Sequence, residues 1–374
     1  MKIYIIAGEA SGDLHASNLM KALLKKNNEL QFRYWGGDHM ASVQGQPVKH
    51  IKDLAFMGFV EVVANLRTIL RNMKDCKQDI LEFKPDALVL VDYPGFNLRI
   101  AKFAKEQGIK VHYYISPQIW AWKQNRGWKI KKHVDEMYCI LPFEKSFYKK
   151  FDMDVHYVGH PLLDAIQNYQ ENAISSAEFK LKNKLDDRPI IALLPGSRKQ
   201  EIKIKLPIML EAISKYGDQF QFIVAGAPNL EESFYQEVAG HHKMSWISNQ
   251  TYDLLNQAHF ALVTSGTATL ETALFKVPQV VCYKGSQISY QIAKRLIKIN
   301  YISLVNLIMD KEVVKELIQN ELTAKNIQTE VDRLIQDGPD RKQMISAYTD
   351  LYKKLGQGGA SEKVASLLLN TNHD

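Results

Sequence analysis

The chain has 374 residues, 46% of them hydrophobic, which is enough for two α/β domains with separate cores and too much for one small module. A formal net charge of +7 and a pI near 9.0 favour partners that carry phosphate, whether nucleotide, nucleic acid or anionic lipid, without choosing among them. Cys76, Cys139 and Cys282 are odd in number and far apart, so neither a disulfide framework nor a zinc site is indicated, and a reducing cytoplasm fits best.

The opening run IYIIA ends at Gly8 and the charged Glu9. It is too short for a signal-peptide core or a membrane span, and it predicts a buried first strand followed by a helix from about Leu14. The runs ALVLVD, VHYYIS and EMYCIL follow, separated by amphipathic stretches, and this alternation predicts βαβ units on a parallel sheet over residues 1–165. Residues 166–187 are polar and rich in Lys, Asn and Glu, as expected of a helical linker. A second series, PIIALLP, FQFIVAG, HFALVTSG and QVVCYK, predicts another doubly wound domain over 188–340, and residues 341–374 are expected to be helical and to pack back on the first domain. The fold class is therefore α/β, with two Rossmann-like doubly wound domains facing a cleft. No run approaches the roughly 20 apolar residues of a transmembrane helix, so any membrane contact is expected to be peripheral.

Several loops carry candidate chemistry. GEASGD, with Gly8, Ser11 and Gly12, follows the first strand, but its glycine spacing matches neither a dinucleotide fingerprint nor a Walker loop. Ser11 or Asp13 can equally be a helix cap. Asp92 stands at the exit of ALVLVD before a Pro-Gly turn, placed to accept a proton from an attacking hydroxyl or simply to cap the turn. In YYISPQIWAWKQNRGWKIKKH, Trp120, Trp122 and Trp128 interleave with Lys123, Arg126, Lys129, Lys131 and Lys132. Such a mixture suits an anionic headgroup region or stacked RNA bases, and equally an aromatic cluster beneath a solvated basic helix.

In the second half, Gly196, Ser197 and Arg198 follow a strand, where a planar guanidinium can meet a diphosphate; a tight turn with a surface arginine is the plainer alternative. Ser265, Gly266 and Thr267 open a helix whose free N–H groups and dipole suit an anion. Glu271, further along that helix, can accept from vicinal hydroxyls such as those of a ribose, or merely stabilise the helix start.

The strings GEASGD, MGFVEV, VDYPGFN, YYISPQIWAWKQNR, LPFE, VGHP, LLPGSR, SGTATLE and YISLVNL, in this order, resemble the lipid-A-disaccharide synthase family of inverting GT-B glycosyltransferases. The resemblance implies a UDP-2,3-diacylglucosamine donor and a 2,3-diacylglucosamine 1-phosphate acceptor, joined by a β-1,6 bond with release of UDP. It implies a Gram-negative source, peripheral contact with the anionic inner membrane on its cytoplasmic face, and no metal, cofactor or nucleic acid; an oligomer is compatible with it. By motif, Glu9 and Asp92 fall on the acceptor side as catalytic residues, with Ser11 near them. Arg198, Glu271, Asn306 of YISLVNL and Gln319 of KELIQNE fall on the donor side. The residues before Phe96-Asn97 depart from those common in the family. A UDP-N-acetylglucosamine epimerase or peptidoglycan transferase of the same fold is the competing enzyme reading, and a non-catalytic RNA- or lipid-binding protein the competing reading of another class.

Overall fold

The computed structural model describes residues 1–54, 66–286, 290 and 299–371; the MGFVEV string, residues 57–62, lies outside them. The chain divides into two compact units, Met1–Pro161 with Gln357–Asp374, and Leu162–Gly356.

The first unit is built on seven parallel strands: β1 (Lys2–Ala7), β2 (Gln31–Gly36), β3 (Gln46–His50), β4 (Ala87–Val91), β5 (Lys110–Tyr114), β6 (Glu136–Cys139) and β7 (His156–Tyr157). Their spatial order is β3-β2-β1-β4-β5-β6-β7. Every residue of β4, and all of β1 after Lys2, is buried, which is why these segments read as continuous apolar runs without alternation. The chain winds outward from β1 through β2 and β3, then crosses back to β4 on the other side of β1. Ala7 pairs in register with Val91, so β1 and β4 end level with one another. Loops leaving two such adjacent strands diverge and leave a crevice at the carboxyl ends of the strands, the usual ligand position in doubly wound sheets.

The second unit has six parallel strands: β8 (Ile190–Leu194), β9 (Gln221–Gly226), β10 (Ser245–Ser248), β11 (Ala258–Thr264), β12 (Gln279–Tyr283) and β13 (Lys315–Ile318). Their order, β10-β9-β8-β11-β12-β13, places the corresponding divergence between β8 and β11, where Leu194 pairs with Val263.

Two details differ from the sequence reading. The segment 166–187 belongs to the second unit: its helix Ser176–Asn183 inserts Phe179 fully buried beside Ile190, Ala192 and Leu254. The terminal helical stretch is two helices split at Gly356, whose φ of 79° ends the first of them. Helix Pro339–Leu355 lies in the second unit, whereas Ala360–Thr371 packs on the helix Ala10–Lys26 of the first. Ala360, Val364, Ala365 and Leu368 supply its apolar stripe against Ala16, Leu19 and Leu23. Among the described residues no helix is long and apolar enough to cross a membrane.

Candidate active site

In the first unit, the exit of β1 delivers Gly8 and Glu9, and the exit of β4 delivers Asp92 and Tyr93. Asp92 and Tyr93 both adopt left-handed backbone, with φ of 44° and 49°. Side-chain residues rarely do so unless their surroundings compel it. Here the Asp92 N–H donates to the Tyr114 carbonyl at 3.0 Å, while the Asp92 carbonyl accepts from the Tyr113 hydroxyl at 2.6 Å and from Asn97 Nδ2 at 2.7 Å. The turn is thus held by buried groups behind it, and the β4 end turns sharply into the helix Pro94–Glu106. Gly8 is required by the same turn, because a Cβ there would lie 2.3 Å from the Tyr93 ring.

Burial pushes the Asp92 carboxyl up to about 6; the Glu9 charge adds to the rise, and the Tyr93 N–H partly offsets it. Burial and a neighbouring negative charge both disfavour the charged form of Asp92, and a carboxyl that titrates closer to neutrality is the consequence. Glu9 is the N-cap residue of the helix Ala10–Lys26 but makes no capping bond with its side chain, and Ser11 is exposed in the first turn. Asp13 does not cap its own helix either. Its buried carboxylate accepts from the N–H groups of Gly37, His39 and Met40 at 2.7, 3.0 and 3.2 Å, anchoring the loop after β2.

The tryptophan segment separates into two populations. Trp120 is only 7% exposed and packs edge-on to Phe143 at 5.0 Å. It is a core residue and is withdrawn from the expected acceptor or membrane surface, because burial against Phe143 leaves its ring no free face to offer. Trp122 and Trp128 are 40% and 54% exposed. Lys123 and Arg126 lie over the Trp122 ring at 4.3 and 5.6 Å, and Lys131 over Trp128 at 5.8 Å. Lys129 and Lys132 are exposed on the same helix, Arg126–His133, and Lys131 also approaches Asp152 at 3.8 Å.

In the second unit, β8 ends in Pro195-Gly196-Ser197-Arg198 before the helix Lys199–Ile213, and β11 ends in Ser265-Gly266 before the helix Thr267–Leu274. Gly196 and Gly266 have φ of 121° and 132°, backbone that a side chain would strain. Gly196, Ser197, Arg198, Ser265, Gly266, Thr267 and Glu271 together line one cavity of about 430 Å³. The guanidinium, the helix N-terminus and the Glu271 carboxylate therefore converge on one space. Burial raises the pKa of Glu271, and a hydrogen bond from the Tyr252 hydroxyl partly offsets the rise. Tyr252 is itself wedged against Phe275 and Tyr169 at 5.3 and 5.6 Å.

Asn306 does not join this group. Fully buried, it donates through Nδ2 to the Val314 carbonyl at 2.8 Å and to Glu316 Oε1 at 2.9 Å, and its Oδ1 accepts from the N–H groups of Val313 and Val314 at 2.7 and 3.0 Å. Every hydrogen-bonding position of its amide is occupied inside the protein, so direct ligand binding is excluded and the expectation is corrected. Its role is to hold the neighbouring loop: Glu316 also accepts from the N–H groups of Ile302 and Ser303, each at 2.9 Å, and the Ile302 carbonyl accepts from Ser265 Oγ at 3.0 Å. Gln319 is likewise absent from the cavity lining. Its Oε1 accepts from the Gly285 N–H at 3.0 Å, and its buried Nε2 has no hydrogen-bond partner among the described residues.

Glu201, which the sequence reading passed over, also lines the cavity, with Arg198 at 3.6 Å on one side and the buried Lys205 at 3.5 Å on the other. The run KQEIKIKL reads as a solvated charged helix face. The one available signal was that Lys205 lies seven residues after Arg198, two turns along the same helical face.

A family profile described as Lipid-A-disaccharide synthetase matches residues 3–370. The chain is 38% identical to the "Lipid-A-disaccharide synthase" of Geobacter metallireducens, over 98% of this chain and 96% of that one. Among solved structures it is similar to a UDP-GlcNAc 2-epimerase from Neisseria meningitidis bound to UDP-GlcNAc, with a TM-score of 0.68 at 16% identity over 99% and 100% of the two chains. It is also similar to CalG4, the calicheamicin glycosyltransferase, with a TM-score of 0.61 at 15% identity over 98% of each. At such identities these structures establish the fold, the GT-B one, and not the reaction.

Two outcomes are expected. With labelled aspartate, the Asp92 carboxyl should titrate near pH 6 by NMR, and Glu9→Gln, which removes a charge that raises this pKa, should move the midpoint to lower pH; an unmoved midpoint would show that the two carboxylates are uncoupled. Asn306→Ala should cost on the order of 3 kcal/mol of stability in urea denaturation, since it leaves buried N–H groups and Glu316 without a partner.

Proposed function

The chain belongs to the lipid-A-disaccharide synthetase family, and on that premise we propose that it is a glycosyltransferase joining UDP-2,3-diacylglucosamine to 2,3-diacylglucosamine 1-phosphate through a β-1,6 bond, with release of UDP. The observation that carries the assignment of roles is the convergence of Arg198, Glu271 and the helix start at Thr267 on one cavity at the β8–β11 divergence. A uridine diphosphate needs a cation and N–H donors for its phosphates and an acceptor for its ribose hydroxyls, and that cavity offers all three. The second unit is thereby the donor domain, and the first unit, carrying Asp92, the acceptor domain.

The reaction is read as a single displacement with inversion. The acceptor 6-hydroxyl attacks the anomeric carbon, its proton passes to the Asp92 carboxylate, and the bond to UDP breaks. Negative charge develops on the departing diphosphate, where Arg198 and the amides of Ser265 to Thr267 stabilise it. Burial holds the Asp92 carboxyl above the ordinary range, and the Glu9 charge adds to that rise. The exposed pair Trp122 and Trp128, with Lys123, Arg126, Lys129 and Lys132 around them, is read as a peripheral contact with anionic lipid, which would bring the protein to acylated substrates.

Incubation with the two acylated sugars followed by mass spectrometry tests the activity directly; an epimerised UDP-sugar in place of a disaccharide would overturn it. Asp92→Ala should lower kcat by about 10²–10⁴ while UDP affinity stays near wild type, and kcat/KM of the wild type should fall as pH drops below about 6, because the base must be ionised. Arg198→Ala and Glu271→Ala should each weaken UDP binding in calorimetry. Replacing Lys123, Lys129 and Lys132 by Gln should reduce sedimentation with anionic vesicles and flatten its salt dependence, whereas Trp120→Ala should act on stability instead.

A further inference from the structure

Lys205 is 1% exposed, on the inner face of the helix Lys199–Ile213. Its ammonium donates to Thr264 Oγ1 at the end of β11 and meets Glu201 Oε2 at 3.5 Å. Glu201 in turn reaches Arg198 at 3.6 Å. The loop after β8 rides on this pair: a Cβ on Gly196 would stand 2.5 Å from Glu201 Oε2 and 3.4 Å from Lys205 Nζ. Burial lowers the lysine's pKa, Glu201 draws it back up, and Arg198 opposes. Cys282, the remaining group facing it, is pushed up to about 12 by burial and so stands neutral at pH 7.

A carboxylate lining a diphosphate cavity is an obstacle, since Glu201 both repels the ligand and occupies the arginine meant for it. We infer that Lys205 is a positioning residue for the donor: it neutralises Glu201 from behind and ties the β8 helix to the end of β11, so that Arg198 can leave Glu201 for the diphosphate. The inference rests on the UDP reading of this cavity. It places Lys205 behind the wall, since Gly196, Glu201 and Thr264 line the cavity and Lys205 does not.

A staple without an electrostatic role would affect every ligand of the cavity alike, whereas a counter-charge acts in proportion to the phosphates. Calorimetry with UDP and with uridine on the full chain separates the two. Lys205→Met should weaken UDP about ten- to hundredfold, the scale of one charged hydrogen bond, and change uridine little. The double variant Lys205→Met/Glu201→Gln should recover most of that loss, and Glu201→Gln alone should bind UDP at least as tightly as wild type. A wild-type ratio of UDP to uridine affinity in folded Lys205→Met would overturn the inference. Should Lys205→Met fail to fold in thermal melts, Glu201→Gln decides: weaker UDP binding in that variant overturns the inference equally. Absence of UDP binding by the wild-type chain is a separate outcome that removes the donor reading and this inference together.

Discussion

Two adjacent parallel strands whose connections leave in opposite directions cannot have their carboxyl ends covered by those connections, and this constraint locates the candidate residues of each unit. In the first unit the uncovered ends belong to β1 and β4, in the second to β8 and β11. Level registers, Ala7 with Val91 and Leu194 with Val263, bring the two loops of each pair to the same height. Glu9 and Asp92 in one unit, and Arg198 and Ser265 in the other, are neighbours by topology although 83 and 67 residues apart in sequence.

On that frame the chemistry is set by how charges are desolvated. In the first unit, burial and, after it, the like charge of Glu9 hold Asp92 above the ordinary carboxylate range. In the second unit, unlike charges alternate from Arg198 through Glu201 to Lys205, and the chain ends on a neutral hydroxyl, Thr264. One arrangement raises the proton affinity of a carboxyl, and the other offsets the charge of a carboxylate. The left-handed backbone at Asp92 and Tyr93 is the accompanying cost, borne by Asn97, Tyr113 and Tyr114 behind the turn.

The fold itself is indifferent to reaction. A UDP-GlcNAc 2-epimerase and the calicheamicin glycosyltransferase share it at 16% and 15% identity, whereas the family relationship extends over residues 3–370. What the loops of this chain present depends on what they are fastened to: the buried network of Asn306, Glu316 and Ser303 ends on the Ile302 carbonyl that Ser265 grips.

What the amino-acid sequence determined by itself was everything encoded locally. The strand, turn and helix sequences around GEASGD, VDYPGFN, LLPGSR and SGTATLE announce βα units, and because ligands of such units bind at strand exits, Asp92, Arg198 and Glu271 stand out as candidates from the sequence, whereas Glu9 is singled out by the family resemblance alone. Tertiary structure alone decided which polar and aromatic groups remain available. Asn306 spends its whole amide on Val313, Val314 and Glu316, and Trp120 turns inward onto Phe143. Phe179 makes a supposed linker part of a core, and Lys205, which reads as one more surface lysine, is buried beneath the cavity. The physical reason is common to all four. Periodicity reports the face an element buries, but the partner of a hydrogen bond, a ring or an ammonium is supplied by another segment of the chain, and no local pattern contains it.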